Sequence, residues 1–88
     1  MSTELVHVGF GNIVALNKVV AIVSPGSAPV RRMLQASRSK GQLIDLTSGR
    51  RTKAALVMDS GQIILVALAP ETIAGRLAIR RETHSEAE

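Results

Sequence analysis

Residues 43–68, LIDLTSGRRTKAALVMDSGQIILVAL, decide how this chain folds. LIDLT at 43–47 alternates apolar and polar residues, the period of a half-buried strand. AALVMD at 54–59 and QIILVAL at 62–68 are near-continuous apolar runs joined by Ser60-Gly61, a tight-turn signal. Three strands in close succession predict an antiparallel meander, with Thr47, Ser48 and Gly49 leading to Arg50, Arg51 and Lys53 at the tip of its first hairpin. Adjacent cations at a turn repel each other and add nothing to a core, so either they are merely solvated or an anion meets them.

Upstream, ELVHV at 4–8 runs into the turn GFGN, and VVAIVS at 19–24 is a β-branched run ended by Pro25-Gly26. Ser27 is a good N-cap, Pro29 suits a first helical turn, and Val30, Met33, Leu34 and Ser37 fall at helical spacing. Arg31, Arg32, Gln35 and Arg38 occupy the other face, and Gly41 suits the C′ position. Pro70 and Glu71 open a second short helix. The expected fold is α+β, a small twisted antiparallel sheet of about five strands with two short helices. Strands 19–23, 54–58 and 63–68 are apolar on both faces, more than two short helices can cover. Either the sheet curls around its own core or, as the favoured reading, the uncovered face is an interface between subunits.

Eighty-eight residues make one small domain, expected over 1–81 with a disordered acidic tail at 82–88. At this size a single core is marginal, and with no cysteine the remaining help is oligomerisation. No basic leader and no run near ~20 apolar residues is present, so a cytoplasmic protein without a membrane partner is expected.

Charge is the most telling bulk property. Between residues 31 and 53 seven cations face one acid, Asp45, and eight of the eleven Lys and Arg residues are arginine. Arginine's planar fork grips phosphate in two places. The only histidines are His7, in a strand, and His84, in the tail. No nucleophile–base pair or metal cluster can be assembled from such parts, so neither an enzyme, a cofactor nor a small-molecule substrate is expected. GFGN lacks the rest of a dinucleotide or P-loop fingerprint and reads as a turn. Phe10 is the only aromatic residue. Binders of single strands need several flat side chains for stacking, whereas duplex phosphates need none, so double-stranded DNA is the favoured partner. One loop supplies few phosphate contacts, and repetition in an oligomer would multiply them.

GFGNIV at 9–14, IVSPGSAP at 22–29, GRRTKA at 49–54, MDS at 58–60 and APETIAGRL at 69–77 together resemble the RemA family of bacterial extracellular matrix regulators. The resemblance covers about residues 4–81. It implies a cytoplasmic DNA-binding protein of LytTR-like fold that assembles into an octameric ring, bends or wraps promoter DNA and activates biofilm matrix operons. By that resemblance Arg50 and Arg51 contact DNA beside Gly49, Lys18 is a further basic functional position, and Pro29 matters for the assembled form. The best-known members carry arginine where this chain has Lys18, so a point charge replaces a fork there. Lys53, Arg31 and Arg32 complete the expected phosphate-neutralising set. The competing expectation is a scaffold whose basic face meets an acidic protein.

Overall fold

The computed structural model describes residues 4–76. The expected acidic tail and the end of the expected second helix lie outside that range. Strands β1 (Leu5–Gly9) and β2 (Asn12–Ala15) form an antiparallel hairpin. A single 3-10 turn, Leu16–Lys18, leads into β3 (Val19–Val23). Helix α1 (Ala28–Ser39) and strands β4 (Leu43–Asp45), β5 (Ala54–Met58) and β6 (Ile63–Val66) follow, and residues 70–76 are helical.

The expected meander is not what forms. The second sheet has the order β3-β5-β6-β4, in which β5 pairs antiparallel with β3 and β6 while β4 lies parallel to β6. Ser60-Gly61 does join neighbouring strands, with Gly61 at φ +92° and its N–H donating to the Met58 carbonyl at 3.0 Å. The residues between β4 and β5, by contrast, do not form a hairpin. They cross the end of β6, tied at one side by the Leu46 N–H to the Leu65 carbonyl and at the other by the Lys53 N–H to the Val66 carbonyl, each 2.9 Å. A tight turn forces its strands to be neighbours; a longer connection does not.

The expected single sheet of five antiparallel strands is also replaced, by a two-stranded and a mixed four-stranded sheet. The physical reason lies in how the doubly apolar strands are buried. Ala54, Leu56, Ile64 and Val66 face one way and pack with Val6, Val8, Val14 and Leu16 of the hairpin layer and with Ile73 of the helical stretch 70–76. Ala55, Ile63 and Leu65 face the other way, against Met33 and Leu34 of α1 with Val23 and Leu43. The hairpin folds over the face that two helices could not have covered. Both faces of β5 and β6 are therefore buried, which is why these strands read as continuous apolar runs.

Helix α1 forms as its signals predict. The Ser27 hydroxyl accepts from the Val30 N–H at 3.4 Å, and Pro29 sits in the first turn, where a missing N–H costs nothing. At the other end the N–H of Gln42 reaches the Ser37 carbonyl and that of Gly41 the Arg38 carbonyl, with Gly41 at φ +72°, the paired bonds of a Schellman termination. The helical stretch 70–76 is clipped to the hairpin by the Arg76 guanidinium, which donates to the His7 carbonyl.

Apolar side chains remain exposed on the outer strand β3 and on the outer face of the hairpin. Val20 is 67% exposed on the outer strand β3, where the register slips by one residue between Val19 and Ala21. Leu5 and Ile13 are about half exposed on the outside of the hairpin.

Candidate nucleic-acid interface

The connection between β4 and β5 is anchored on Asp45, the last residue of β4. The Asp45 carboxylate accepts from the Thr47 hydroxyl at 2.6 Å and from the Thr47 N–H at 2.9 Å, and Thr47 is almost fully buried. The Thr47 hydroxyl and then its N–H hold the Asp45 carboxyl below its ordinary value, with a smaller contribution from the Arg38 charge. That bond pattern is an Asx turn, and the ionised carboxylate is its stronger acceptor. Its contribution to stability is therefore present above the ordinary carboxyl range and is lost as pH falls through the lowered value.

Next the chain turns sharply. Ser48 (φ +55°) and Gly49 (φ +80°) are both left-handed, and the Arg50 N–H returns to the Thr47 carbonyl at 3.0 Å. A Cβ on Gly49 would touch nothing, so glycine is required there for its backbone angle. Gly49→Ala is expected to destabilise the protein by about 1 kcal/mol through the left-handed penalty alone. Urea denaturation checks this, with the shift appearing in the midpoint and not in the slope.

The turn leaves Arg50, Arg51 and Lys53 exposed. Arg50, Arg51 and Lys53 line a shallow cleft with Gly9, Phe10, Ala67 and Leu68. Arg51 and Lys53 also line its neighbour, together with Pro25, Gly26, Thr52 and Ala69. Among the described residues neither lining contains a carboxylate. The two depressions share their cations and form one basic shelf at the end of the sheet. Phosphate oxygens would meet there a field of one sign, with nothing in the lining to neutralise it.

The other expected residues are distributed unequally. Arg31 and Arg32 are exposed in the first turns of α1, a few residues beyond Pro25-Gly26, but line neither depression. Pro29 is exposed in that same helical start. Lys18 stands apart. It is exposed on the 3-10 turn, and its carbonyl accepts from the Asp59 N–H at 2.8 Å. Asp59 follows β5 whereas Lys53 precedes it, so the strand's five residues, about 17 Å at the usual rise, separate Lys18 from the shelf. Within one protomer the structure does not bring Lys18 and Arg51 together.

One residue of the shelf was not among the expected site residues. The Arg50 guanidinium lies over the Phe10 ring, 5.1 Å from its centroid. Phe10 is 49% exposed at the tip of the β1–β2 hairpin. Its signal was present in the sequence, since the only aromatic residue of the chain stands between two glycines.

A separate groove follows β3, lined by Glu4, Leu16, Asn17, Val19, Val20, Ala21 and Ile22, without a cation. It suits an apolar contact better than an anion. Among the described residues no group of His, Asp or Glu could hold a metal ion, and no helix is long and apolar enough to cross a membrane.

Comparison with known proteins identifies the family. The family model "RemA-like: Extracellular matrix regulatory protein A-like" matches residues 5–77. A Dehalococcoides mccartyi protein named as a candidate regulator is 63% identical over 81 residues, covering 92% of this chain and 84% of that protein. Extracellular matrix regulatory protein A of Bacillus subtilis (strain 168) is 52% identical over 86 residues, covering 98% of this chain and 97% of its own length. A Cyanothece protein, likewise named as a candidate regulator, is 51% identical over 84 residues, covering 96% and 92%.

Proposed function

The chain belongs to the RemA-like family of regulatory proteins, and on that premise we propose that it is a duplex-DNA-binding transcriptional regulator of extracellular matrix genes. It acts as an oligomeric ring of LytTR-like subunits that bends or wraps promoter DNA through repeated copies of the basic loop. The observation that carries this reading is the shelf itself, where Arg50, Arg51 and Lys53 are exposed beside one another with no acid among the described lining residues. Arg31 and Arg32 extend the same field. Such a surface binds phosphates without stacking platforms, and a duplex presents them at fixed spacing. Sequence preference then rests on the spacing of repeated loops and on how easily the DNA bends.

A single loop makes few contacts and binds weakly at physiological salt, so the mechanism needs several protomers. Two features favour self-association. The outer strand β3 carries an apolar groove with Val20 projecting into solvent, and the hairpin exposes Leu5 and Ile13. Repetition also gives Lys18 a role its own protomer does not, because a head-to-tail neighbour can present it beside another copy's shelf. Pro29, at the start of α1, contributes to the assembled form.

Light scattering coupled to gel filtration, with and without a promoter-length duplex at two salt concentrations, tests the reading. A discrete high-order oligomer that takes up DNA, with affinity falling steeply as salt rises, is expected. A monomer or dimer that ignores DNA would overturn it. Val20→Glu is expected to convert the oligomer into smaller species while leaving the far-UV circular dichroism unchanged, and an unaltered oligomer would move the subunit contact away from β3.

A further inference from the structure

We propose that the β1–β2 turn belongs to the surface that meets duplex DNA and that Phe10 is the positioning residue for Arg50, an inference that rests on the duplex-binding reading above. Three consecutive residues of this turn are left-handed: Gly9 at φ +102°, Phe10 at φ +55° and Gly11 at φ +77°. Glycine accepts such angles readily, whereas a phenylalanine there is sterically unfavourable. The Asn12 side-chain amide closes the turn by donating to the Gly9 carbonyl at 3.0 Å. Positive φ at Phe10 and Gly11 closes the two-residue β1–β2 hairpin, a task that Asn-Gly or Gly-Gly performs with less strain, and it leaves the chain's one aromatic ring half in water.

What the ring does touch is Arg50, 5.1 Å from its centroid. The two residues come from loops about forty positions apart in the chain, and the crossing of the 46–53 segment over the end of β6 brings them together. Contact with a ring face uses up no carboxylate or carbonyl acceptor and brings no opposing charge, so the guanidinium keeps its charge and its fork for a phosphate. Arginine otherwise wanders through many rotamers, and one that is held in place before DNA arrives loses less freedom on binding. A single ring, covered on one side, makes no platform for successive unstacked bases. Its partner is therefore the cation beside it, and through that cation the duplex backbone.

The experiment titrates a labelled promoter-length duplex with wild-type protein, Phe10→Leu, Phe10→Tyr, Arg50→Ala and Phe10→Leu/Arg50→Ala, at several salt concentrations, with oligomer size recorded for each. Phe10→Leu is expected to weaken binding about two- to fivefold for each protomer that contacts the duplex. Phe10→Tyr, which keeps the ring, is expected to restore it. In the Arg50→Ala background Phe10→Leu is expected to add nothing, the coupling that marks a residue acting through another. Equal losses with and without Arg50 would overturn the inference and make Phe10 an apolar wedge between base steps. Wild type that binds while Phe10→Leu binds equally well would overturn it alone; wild type that ignores duplex DNA would overturn the duplex reading and this inference with it. Should the Leu variant fail to fold, NMR of the wild-type protein decides. Arg50 methylene protons shifted upfield by the ring support the pairing, and unshifted ones overturn it.

Discussion

Arg51→Ala is expected to abolish stable binding to a promoter-length duplex at physiological salt while leaving the oligomer intact. Arg51 is exposed and borders both depressions of the basic shelf. A charge-assisted hydrogen bond contributes about 1.5–3 kcal/mol. Lost in every protomer that touches the same DNA, it compounds, so a fall in affinity of at least about 100-fold is expected. The log–log dependence on salt should flatten by about 0.9 for each phosphate contact removed. Mobility shift and fluorescence titration over a salt series measure both quantities. An unchanged affinity would detach the shelf from DNA; a dissolved oligomer would mean that Arg51 serves assembly instead. The comparison with Lys18→Ala is informative, because Lys18 lies a strand's length from the shelf in its own protomer. A comparable loss there would be direct evidence that neighbouring protomers share one binding surface.

Leu56→Ala should produce the largest change in stability. Leu56 is 1% exposed in β5, paired across to Ile22 of β3 and to Ile64 of β6, and it belongs to the cluster that joins the sheet to the hairpin layer. Truncating a buried leucine costs about 2–5 kcal/mol, which is a large share of the ~5–15 kcal/mol that holds a typical domain together. Thermal unfolding at fixed protein concentration should shift down by at least about 10 °C. Concentration must be held constant because oligomerisation itself raises apparent stability. Leu56→Met, which keeps the volume, should cost less than about 1.5 kcal/mol. Equal losses in the two variants would argue that side-chain shape at this position matters more than filled volume.

The elements whose signals are local were legible in the sequence. Ser27, Pro29 and Gly41 mark both ends of α1, and Ser60-Gly61 marks the β5–β6 turn, because each acts through backbone geometry within a few residues. The basic loop was legible too, as charge does not need a fold to be counted. Family membership followed from five short motifs, and the comparisons support it over residues 5–77.

Pairing was not legible. The alternation in LIDLT identifies a strand and its faces but carries no information about which strand lies beside it or in which direction it runs. Eight residues, 46–53, separate β4 from β5 and leave room for β6 to be inserted between them, so the parallel β4–β6 pair displaced the expected meander. The apolar runs of β5 and β6 demanded burial on both faces without saying what would cover the second. Only the packed chain shows that the β1–β2 hairpin does so, because burial is a sum over the whole molecule. The same folding-over carries Phe10 to Arg50, from turns about forty residues apart. Residue types and local spacing by themselves determined that this protein has a capped helix, a tight β-turn and an unneutralised arginine loop. Tertiary structure decided that the loop crosses the end of a buried strand and meets an aromatic turn, since both depend on non-local contacts that no local pattern encodes.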